Sequence, residues 1–411
     1  MKINNNIPAY RFQGYTDAWE LRKLGEVARF RRGSFPQPYG NSEWYDGDGA
    51  MPFVQVADVT DEMNLVEDTK QKISKKAQPL SVYAEKGSVL VTLQGSIGRV
   101  AITQYGAFID RTVLIFENFY LPIDNLFWAY VIKQKFIEEA KSAPGGTIKT
   151  ITKEVLSDFN IKLPTHAEQE AIGTFFSTLD QQITLHQRKL DTLKEQKMTY
   201  LKLLFPAKGQ TKPALRFQGF EDDWEGVKLG EVLTVSKLKN KENEYSKLDV
   251  LSVSREQGTV NQIEYQGRSF ASDDVSGYKI VKVGQMIYTK SPLKGAPYGI
   301  FQTVTINGIV SPLYAVYNSS GRALASFVSL ILKEDAIATH YLSPLVTKGA
   351  KNTINVTDEG ALEGKVKIPT LPEQEVIGTF FSTLDQEIAQ VEDKLASLKE
   401  MKKTLLRKLF V

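Results

Sequence analysis

The feature that most constrains this chain is that it is written twice. Residues 8–27, PAYRFQGYTDAWELRKLGEV, match residues 213–232, PALRFQGFEDDWEGVKLGEV, at 14 of 20 positions and an offset of 205. Residues 163–205, which begin LPTHAEQEAIGTFFSTLDQQI, match residues 368–410, which begin IPTLPEQEVIGTFFSTLDQEI, at 26 of 43 positions and the same offset. Two separated matches at one offset mean two halves of nearly equal length. Between them, residues 28–162 and 233–367 share only traces, such as GTIKTITKE (146–154) beside NTINVTDE (352–359). The pattern is a repeated scaffold carrying two divergent payloads. An old duplication that drifted in its loops would look like this. So would two modules diversified to read different targets.

The second pair of matches predicts long helices. From Glu168 and from Glu373 the chain runs nearly forty residues with no Pro and with one Gly in each copy, Gly173 and Gly378. In the second copy apolar residues recur at Ile377, Phe381, Leu384, Ile388, Val391, Leu395, Leu398, Leu405 and Leu409, a heptad seam interrupted at Lys402. The first copy repeats it with Ile172, Phe176, Leu179, Ile183, His186, Leu190, Leu193 and Leu204. Thr165 before Glu168, and Thr370 before Glu373, fit helix-start capping boxes. At 1.5 Å per residue each helix spans ~50–55 Å. An apolar seam must be covered in water. Each helix packs on its own globular module, or the two pair with each other. Two like units joined through like helices would have an approximate two-fold axis, so the pairing would be antiparallel, with one unit at each end of a rod.

The expected architecture is therefore α+β. Two α/β modules stand in tandem, each followed by a long helix, and the helices form an antiparallel coiled coil with pseudo-two-fold symmetry. The expected divisions are 1–162 (module 1), 163–205 (helix 1), 206–214 (a Pro-, Gly- and Lys-containing linker), 215–367 (module 2) and 368–411 (helix 2). Strands are expected at Pro52–Val59, Ser88–Leu93, Val100–Thr103 and Thr112–Phe116. In the second half they are expected at Leu248–Ser254, Gln285–Tyr288, Gly299–Val304 and Pro312–Val316. Helices are expected at Asn125–Ala140 and Leu324–Ala336.

Catalytic chemistry is hard to place. The absence of cysteine excludes disulfides, thiolate metal sites and cysteine nucleophiles. The three histidines, His166, His186 and His340, lack ligand spacing. The string at 360–366, GALEGKV, is one residue short of a phosphate-binding loop and lacks its hydroxyl. Ser311-Pro312-Leu313-Tyr314 lacks the second proline of an amino-methyltransferase tetrapeptide. Glu363-Gly364-Lys365 fits a nuclease carboxylate–lysine pair, but the first copy has no match. No apolar run approaches the ~18 residues of a membrane span, and the start has no signal-peptide pattern. A soluble, cytoplasmic protein is expected.

Polar residues in the divergent regions carry more. The net charge of +3 is too small to prove a nucleic-acid partner. Yet Arg29, Arg31 and Arg32 precede Ser34 in the first half, and Lys237, Lys239 and Lys241 occupy the matching stretch of the second. Gln94, Ser96 and Arg99, with Lys149, follow in the first half, and Lys290, Ser291 and Lys294 in the second. Arg and Lys neutralise phosphates, while Arg, Gln and Ser can read base edges. The same residue types also occur as ordinary solvated surface.

The repeated strings resemble the specificity (S) subunit of type I restriction–modification systems. The resemblance lies in RFQGYTDAWELRKLGEV and RFQGFEDDWEGVKLGEV, and in the E-Q-x-x-I-G pattern opening each long helix. GSFPQP followed by PFVQVADV resembles that family's target-recognition domain; the second half lacks this string. The resemblance implies a non-catalytic DNA-recognition subunit. Each module would read half of a bipartite double-stranded site, and the helices would set the spacing between half-sites. Residues Ile172, Phe176, Leu179, Ile183, Leu190 and Leu193 would pair with Ile377, Phe381, Leu384, Ile388, Leu395 and Leu398. Two methyltransferase subunits carrying S-adenosylmethionine would dock on the helices, and motor–nuclease restriction subunits would join them. No cofactor or metal is expected on this chain. A two-module protein-binding adaptor, or an enzyme with its own active site, are the alternatives.

Overall fold

A computed structural model describes residues 7–142, 151–255, 257–349 and 354–410. The chain divides into two compact units, Met1–Lys189 with Val391–Val411, and Leu190–Gln390. Each long helix therefore contributes to both. No described helix is long and apolar enough to cross a membrane.

The first unit contains β1 (Glu20–Lys23), α1 (Leu24–Val27), β2 (Ala28–Arg32), β3 (Met51–Val54), β4 (Gln71–Ile73), β5 (Val82–Ala84), β6 (Val89–Thr92), β7 (Val100–Ile102), β8 (Ala107–Ile109) and β9 (Val113–Phe119). α2 (Asn125–Ser142), α3 (Lys153–Ser157), β10 (Asn160–Leu163) and α4 (His166–Leu203) follow. One four-stranded sheet has the order β2-β9-β6-β7 and another β4-β3-β8-β5, with β3 and β8 parallel. The strands are short and rich in Val, Ile and Phe, and β6 is buried at every residue. Such all-buried strands lie between layers, here with α2 and its fully buried Phe127 and Trp128 on one side.

The second unit contains β11 (Glu225–Lys228), α5 (Leu229–Val232), β12 (Thr234–Val235), β13 (Leu251–Ser254), β14 (Gly258–Asn261), α6 (Gln262–Gln266), β15 (Lys279–Val281), β16 (Met286–Tyr288), β17 (Phe301–Thr303), β18 (Gly308–Val310) and β19 (Ala315–Asn318). α7 (Ala325–Ile331), α8 (Asp335–Leu342), β20 (Thr347–Lys348), β21 (Ile354–Asn355), β22 (Lys365–Ile368) and α9 (Leu371–Leu409) complete it. The sheet β12-β19-β16-β17 has the topology of β2-β9-β6-β7, whereas the other strands form pairs.

Four expected elements need correction. The strand expected over Leu248–Ser254 starts at Leu251, because a 3-10 turn, Lys247–Asp249, capped by Ser246 precedes it. The strand expected over Pro312–Val316 starts at Ala315 and runs to Asn318, because Tyr314 N closes a turn onto Ser311 O (3.0 Å). The strand expected over Pro52–Val59 stops at Val54, because a 3-10 turn, Val56–Asp58, follows and Asp58 accepts a hydrogen bond from the Gln55 amide (2.8 Å). The helix expected over Leu324–Ala336 is two helices. α7 ends beside the buried Leu332, and the extended backbone of Glu334 starts α8 afresh.

The repeated strings form the same contacts twice. β1 pairs with β10 and β11 with β22 in one register, Glu20↔Leu163 and Glu225↔Ile368. Lys23 pairs with Asp158 and Lys228 with Glu363, each at 2.6 Å. The Glu363–Lys365 triplet therefore reads as a strand cross-link. Arg11 forks onto Glu168 (2.7 and 2.6 Å), and Arg216 onto Glu373 (2.8 and 2.7 Å). Both glutamates are fully buried. The capping boxes are thus half-formed at best. Thr165 Oγ1 accepts from the Glu168 amide at 3.4 Å, but the Glu168 carboxylate turns to Arg11 and to the Trp19 indole. Buried Gln169 and Gln374 tie the helix starts to the loops before α2 and α7 through Asp124 N (3.1 Å) and Leu324 N (2.9 Å). Gly173 is required here, since a Cβ would stand 2.4 Å from Asp124 Oδ1 and 2.7 Å from Phe127 N.

Within the first unit, the end of α9 runs antiparallel to the start of α4. Lys402 pairs with Asp180, and Lys399 reaches Gln187 at 3.3 Å. Phe410 enters an aromatic cage of Trp19 (6.3 Å), Phe127 (5.8 Å) and Phe176 (5.9 Å). Within the second unit, Lys197 pairs with Asp385, and Phe205 meets Trp224 (5.8 Å), Phe327 (5.7 Å) and Phe381 (6.2 Å). Burying each phenylalanine contributes ~1.5–3 kcal/mol. The seam break at Lys402 is thereby explained, because its ammonium meets a carboxylate. Burial, with Lys197 alongside, pulls the Lys333 pKa down to about 8.

Glu168→Ala should cost ~3–5 kcal/mol in urea unfolding of the first unit, because it strands a largely buried guanidinium. The second unit should be unaffected. A loss below ~1 kcal/mol, the value of a surface pair, would contradict this.

Candidate nucleic-acid interface

In the first unit three connections meet where β8 passes from one sheet to β9 in the other. The segment after β2 is held by Gly33 N to Val113 O (2.9 Å) and Ser34 N to Ile109 O (3.0 Å). The β6–β7 hairpin joins through Leu93 N to Thr112 O (2.8 Å). The β8–β9 turn, 110–112, lies between them. Gly33 makes this possible, since a Cβ there would stand 2.1 Å from Ile109 O. Ser34 on the first segment, with exposed Gln94 and Ser96 on the hairpin, thus converge, and Arg31 and Arg32 lead into the site from β2.

Several expected contacts are already engaged. Arg31 pairs with Glu117, which also holds Arg29 at 3.3 Å. Arg32 Nη2 donates to Ile151 O (3.3 Å), and Ser34 Oγ to Leu80 O (3.4 Å). Arg99 pairs with Asp61 (2.9 Å). Lys149 lies outside the described residues.

Sequence reasoning passed over the centre of this site. Asp110, 1% exposed, accepts from Thr112 N (2.9 Å) and from the Tyr39 hydroxyl (2.6 Å). Gln55 Nε2 donates to the Tyr39 oxygen (3.0 Å), and the Arg111 guanidinium lies 5.2 Å from the Tyr39 ring centroid. Burial, then the Asp110 carboxylate, raises the Tyr39 pKa, so its hydroxyl stays a donor. Polar residues on a rigid turn at a sheet end were the available signal, in Asp110-Arg111-Thr112 just ahead of an expected strand.

The second unit repeats the frame with other residues. Ser236 N donates to Val316 O (2.8 Å), at the register that Arg31 has on Ile115 in the first unit. Lys237 and Lys239 follow, exposed. The loop after β16 carries Lys290, exposed Ser291 and, on a tight turn closed by Leu293 and Ala296, exposed Lys294. Lys290 is held by Asp358, which also takes Lys279 at 2.6 Å. Burial alone would raise the Asp358 pKa, but its hydrogen bonds from both lysines prevail and lower it. Arg255 pairs with Asp335 (3.2 Å) beneath Gly295.

The helix residues expected to pair are placed as follows. Ile172, Phe176 and Leu179 lie in the first unit's core with Leu398, and Ile183 packs against it half-buried. Ile377 and Phe381 lie in the second unit's core. Leu190, Leu193, Leu384, Ile388 and Leu395 are buried, none above 9% exposed. His166 and His340 are exposed and His186 half-buried, and among the described residues no group of His, Cys, Asp or Glu is arranged to hold a metal ion.

The type I restriction modification DNA specificity domain matches the chain at residues 16–195 and again at 221–400. The chain belongs to this family. It is 21% identical over 408 residues to the type I restriction enzyme MjaVIII specificity subunit of Methanocaldococcus jannaschii, covering 94% of this chain and 91% of that protein. It is 23% identical over 251 residues to the MjaIX specificity subunit of the same organism, covering 54% and 53%. The crystal structure of the type I restriction-modification S subunit from M. genitalium superposes with a TM-score of 0.63 at 16% identity, covering 98% of this chain and 99% of that one. The fold of a type I specificity subunit, with two tandem DNA specificity domains, is therefore that of this chain.

Gly33→Ala should cost ~1–3 kcal/mol through overpacking. Hydrogen exchange of the Ser34 amide should accelerate, while that of Ser236 stays unchanged. Unaltered exchange at Ser34 would contradict the close approach.

Proposed function

We propose that this specificity subunit reads a bipartite DNA site, one half with each module, and lends that specificity to a type I methyltransferase. The observation that carries this is the pair of converging loop clusters. They stand at the same end of two sheets of one strand order, beside turns closed alike, but their exposed side chains differ: Gln94, Ser96 and Arg111 in the first, Lys237, Ser291 and Lys294 in the second. A shared frame with different donors suits two surfaces that read different bases. The reading modules are 1–162 and 215–367. The helical stretches 163–205 and 368–411 pair as an antiparallel coiled coil with pseudo-two-fold symmetry, and their length sets the gap between half-sites.

The partners follow from this reading. Two methyltransferase subunits dock on the helices and carry S-adenosylmethionine and the chemistry of adenine methylation. Motor–nuclease subunits join for restriction. This chain supplies recognition and geometry and no reaction step. Its net charge of +3 fits a subunit that shares phosphate neutralisation with partners closing around the same duplex.

Replacing residues 28–162 with those of another specificity subunit should change one half-site of the methylated motif and leave the other half and the spacer intact. Both halves changing would show that the modules do not read independently. Inserting one helical turn near Thr192 should alter the spacer while both half-sites stay the same. Altered half-site bases over an unchanged spacer would overturn the ruler.

A further inference from the structure

We infer that the turn carrying the chain from one sheet to the next is a specificity-determining position in each module, with Arg111 selecting guanine in one half-site and Leu313 selecting the thymine methyl group in the other. This rests on the DNA-reading function proposed above and deepens it, by adding Leu313 and by assigning each turn the base feature it reads.

The two turns occupy one place in the fold. One joins β8 to β9 and the other β18 to β19, and the registers Val91↔Leu114 and Tyr288↔Ala315 set Val113 of the first turn against Tyr314 of the second. Both turns are fixed from beneath. Asp110 N bonds to Val54 O (3.0 Å), Val113 N closes onto Asp110 O (2.9 Å), and the Asp110 carboxylate holds Thr112 and Tyr39. In the other module, Tyr314 N closes onto Ser311 O (3.0 Å), Ser311 Oγ accepts from Leu313 N (3.3 Å), and Lys279 Nζ holds Tyr314 O (2.6 Å). Pro312 adds a fixed φ.

The tips differ in kind. The Arg111 guanidinium rests over the Tyr39 ring, and among the described residues no carboxylate pairs with it. Arg31, Arg99 and Lys290 are each neutralised within their own unit. Arg111 is thus an exposed planar fork, oriented by an aromatic ring that Asp110 and Gln55 hold still. Such a fork matches the O6 and N7 acceptors that guanine shows in the major groove. Leu313 is 73% exposed, more than any other large apolar side chain among the described residues. A leucine held out on a rigid turn has no donor to offer and matches the C5 methyl group that distinguishes thymine. Preorganisation matters for both, because little side-chain ordering remains at binding.

The test uses the chain assembled with its methyltransferase subunits, first in cells and then on short duplexes. Methylomes are compared for the unaltered chain, Arg111→Ala, Arg111→Lys and Leu313→Ala. Arg111→Ala should relax one guanine position by roughly five- to a hundred-fold, Arg111→Lys should relax it less, and the other half-site and the spacer should remain as an internal control of folding. Leu313→Ala should relax one thymine position in the other half-site. On duplexes, 7-deazaguanine at the Arg111 position and uracil at the Leu313 position should lower methylation by the unaltered complex. The matching variant should be indifferent to its analogue. Uniform weakening on all sequences with both half-sites unchanged would make these residues backbone contacts and overturn the inference. Unchanged motifs in the variants would overturn it as well. A complex of the unaltered chain that recognises no bipartite motif would instead overturn the DNA-reading function itself.

Discussion

An apolar stripe nearly forty residues long must be covered in water, and the rest of the structure follows from how it is covered. Each compact unit takes in part of both long helices, so neither unit is built from one continuous half of the sequence. A phenylalanine follows the end of each helix. Phe410 completes the aromatic cage of Trp19, Phe127 and Phe176, and Phe205 completes that of Trp224, Phe327 and Phe381. The lysines that interrupt the apolar stripe, Lys402 and Lys197, each find the aspartate of the repeated STLDQ string, Asp180 and Asp385. A half-buried charge that leaves its carboxylate loses that pairing, so these pairs favour one register where apolar packing alone would tolerate several.

The repeat then divides the residues by task. Those that match at offset 205 hold the frame: Arg11 and Arg216 on the helix-opening glutamates, Gln169 and Gln374 on the loops before α2 and α7, and the strand cross-links Lys23–Asp158 and Lys228–Glu363. The candidate site residues are among those that differ, on connections at one end of each sheet. A loop contributes little to the core, so its side chains can change with little effect on stability. That separation lets one scaffold carry two different sets of exposed loop side chains.

What was legible in the sequence follows the same division. The heptad spacing marked the helices and their buried residues, and the repeat marked the two like units. Valine- and isoleucine-rich runs marked β6, β7 and β16 to within a residue or so. The strand over Pro52–Val59 was overlong because nothing in its apolar run reveals that Asp58 would cap a turn. The break between α7 and α8 was hidden because Leu332, Lys333 and Glu334 are all compatible with a helix. At the candidate site, Ser34, Gln94 and Ser96 were singled out from residue type alone, and the fold gathers them at one end of the sheets. Arg31, Arg99 and Lys290 were singled out too, but their acidic partners Glu117, Asp61 and Asp358 are remote in sequence and left no trace there. Arg111 and Leu313 were passed over for the opposite reason. That Arg111 lies over Tyr39 without a carboxylate partner among the described residues, and that Leu313 stands out on a fixed turn, only the folded chain reveals.

The most direct test of the central claim is the adenine methylome of the source cell with and without this chain. Recognition by this subunit predicts that deletion removes one two-part motif and leaves every other motif methylated. A methylome unchanged by deletion, in cells where the chain is expressed together with its methyltransferase, would contradict the account.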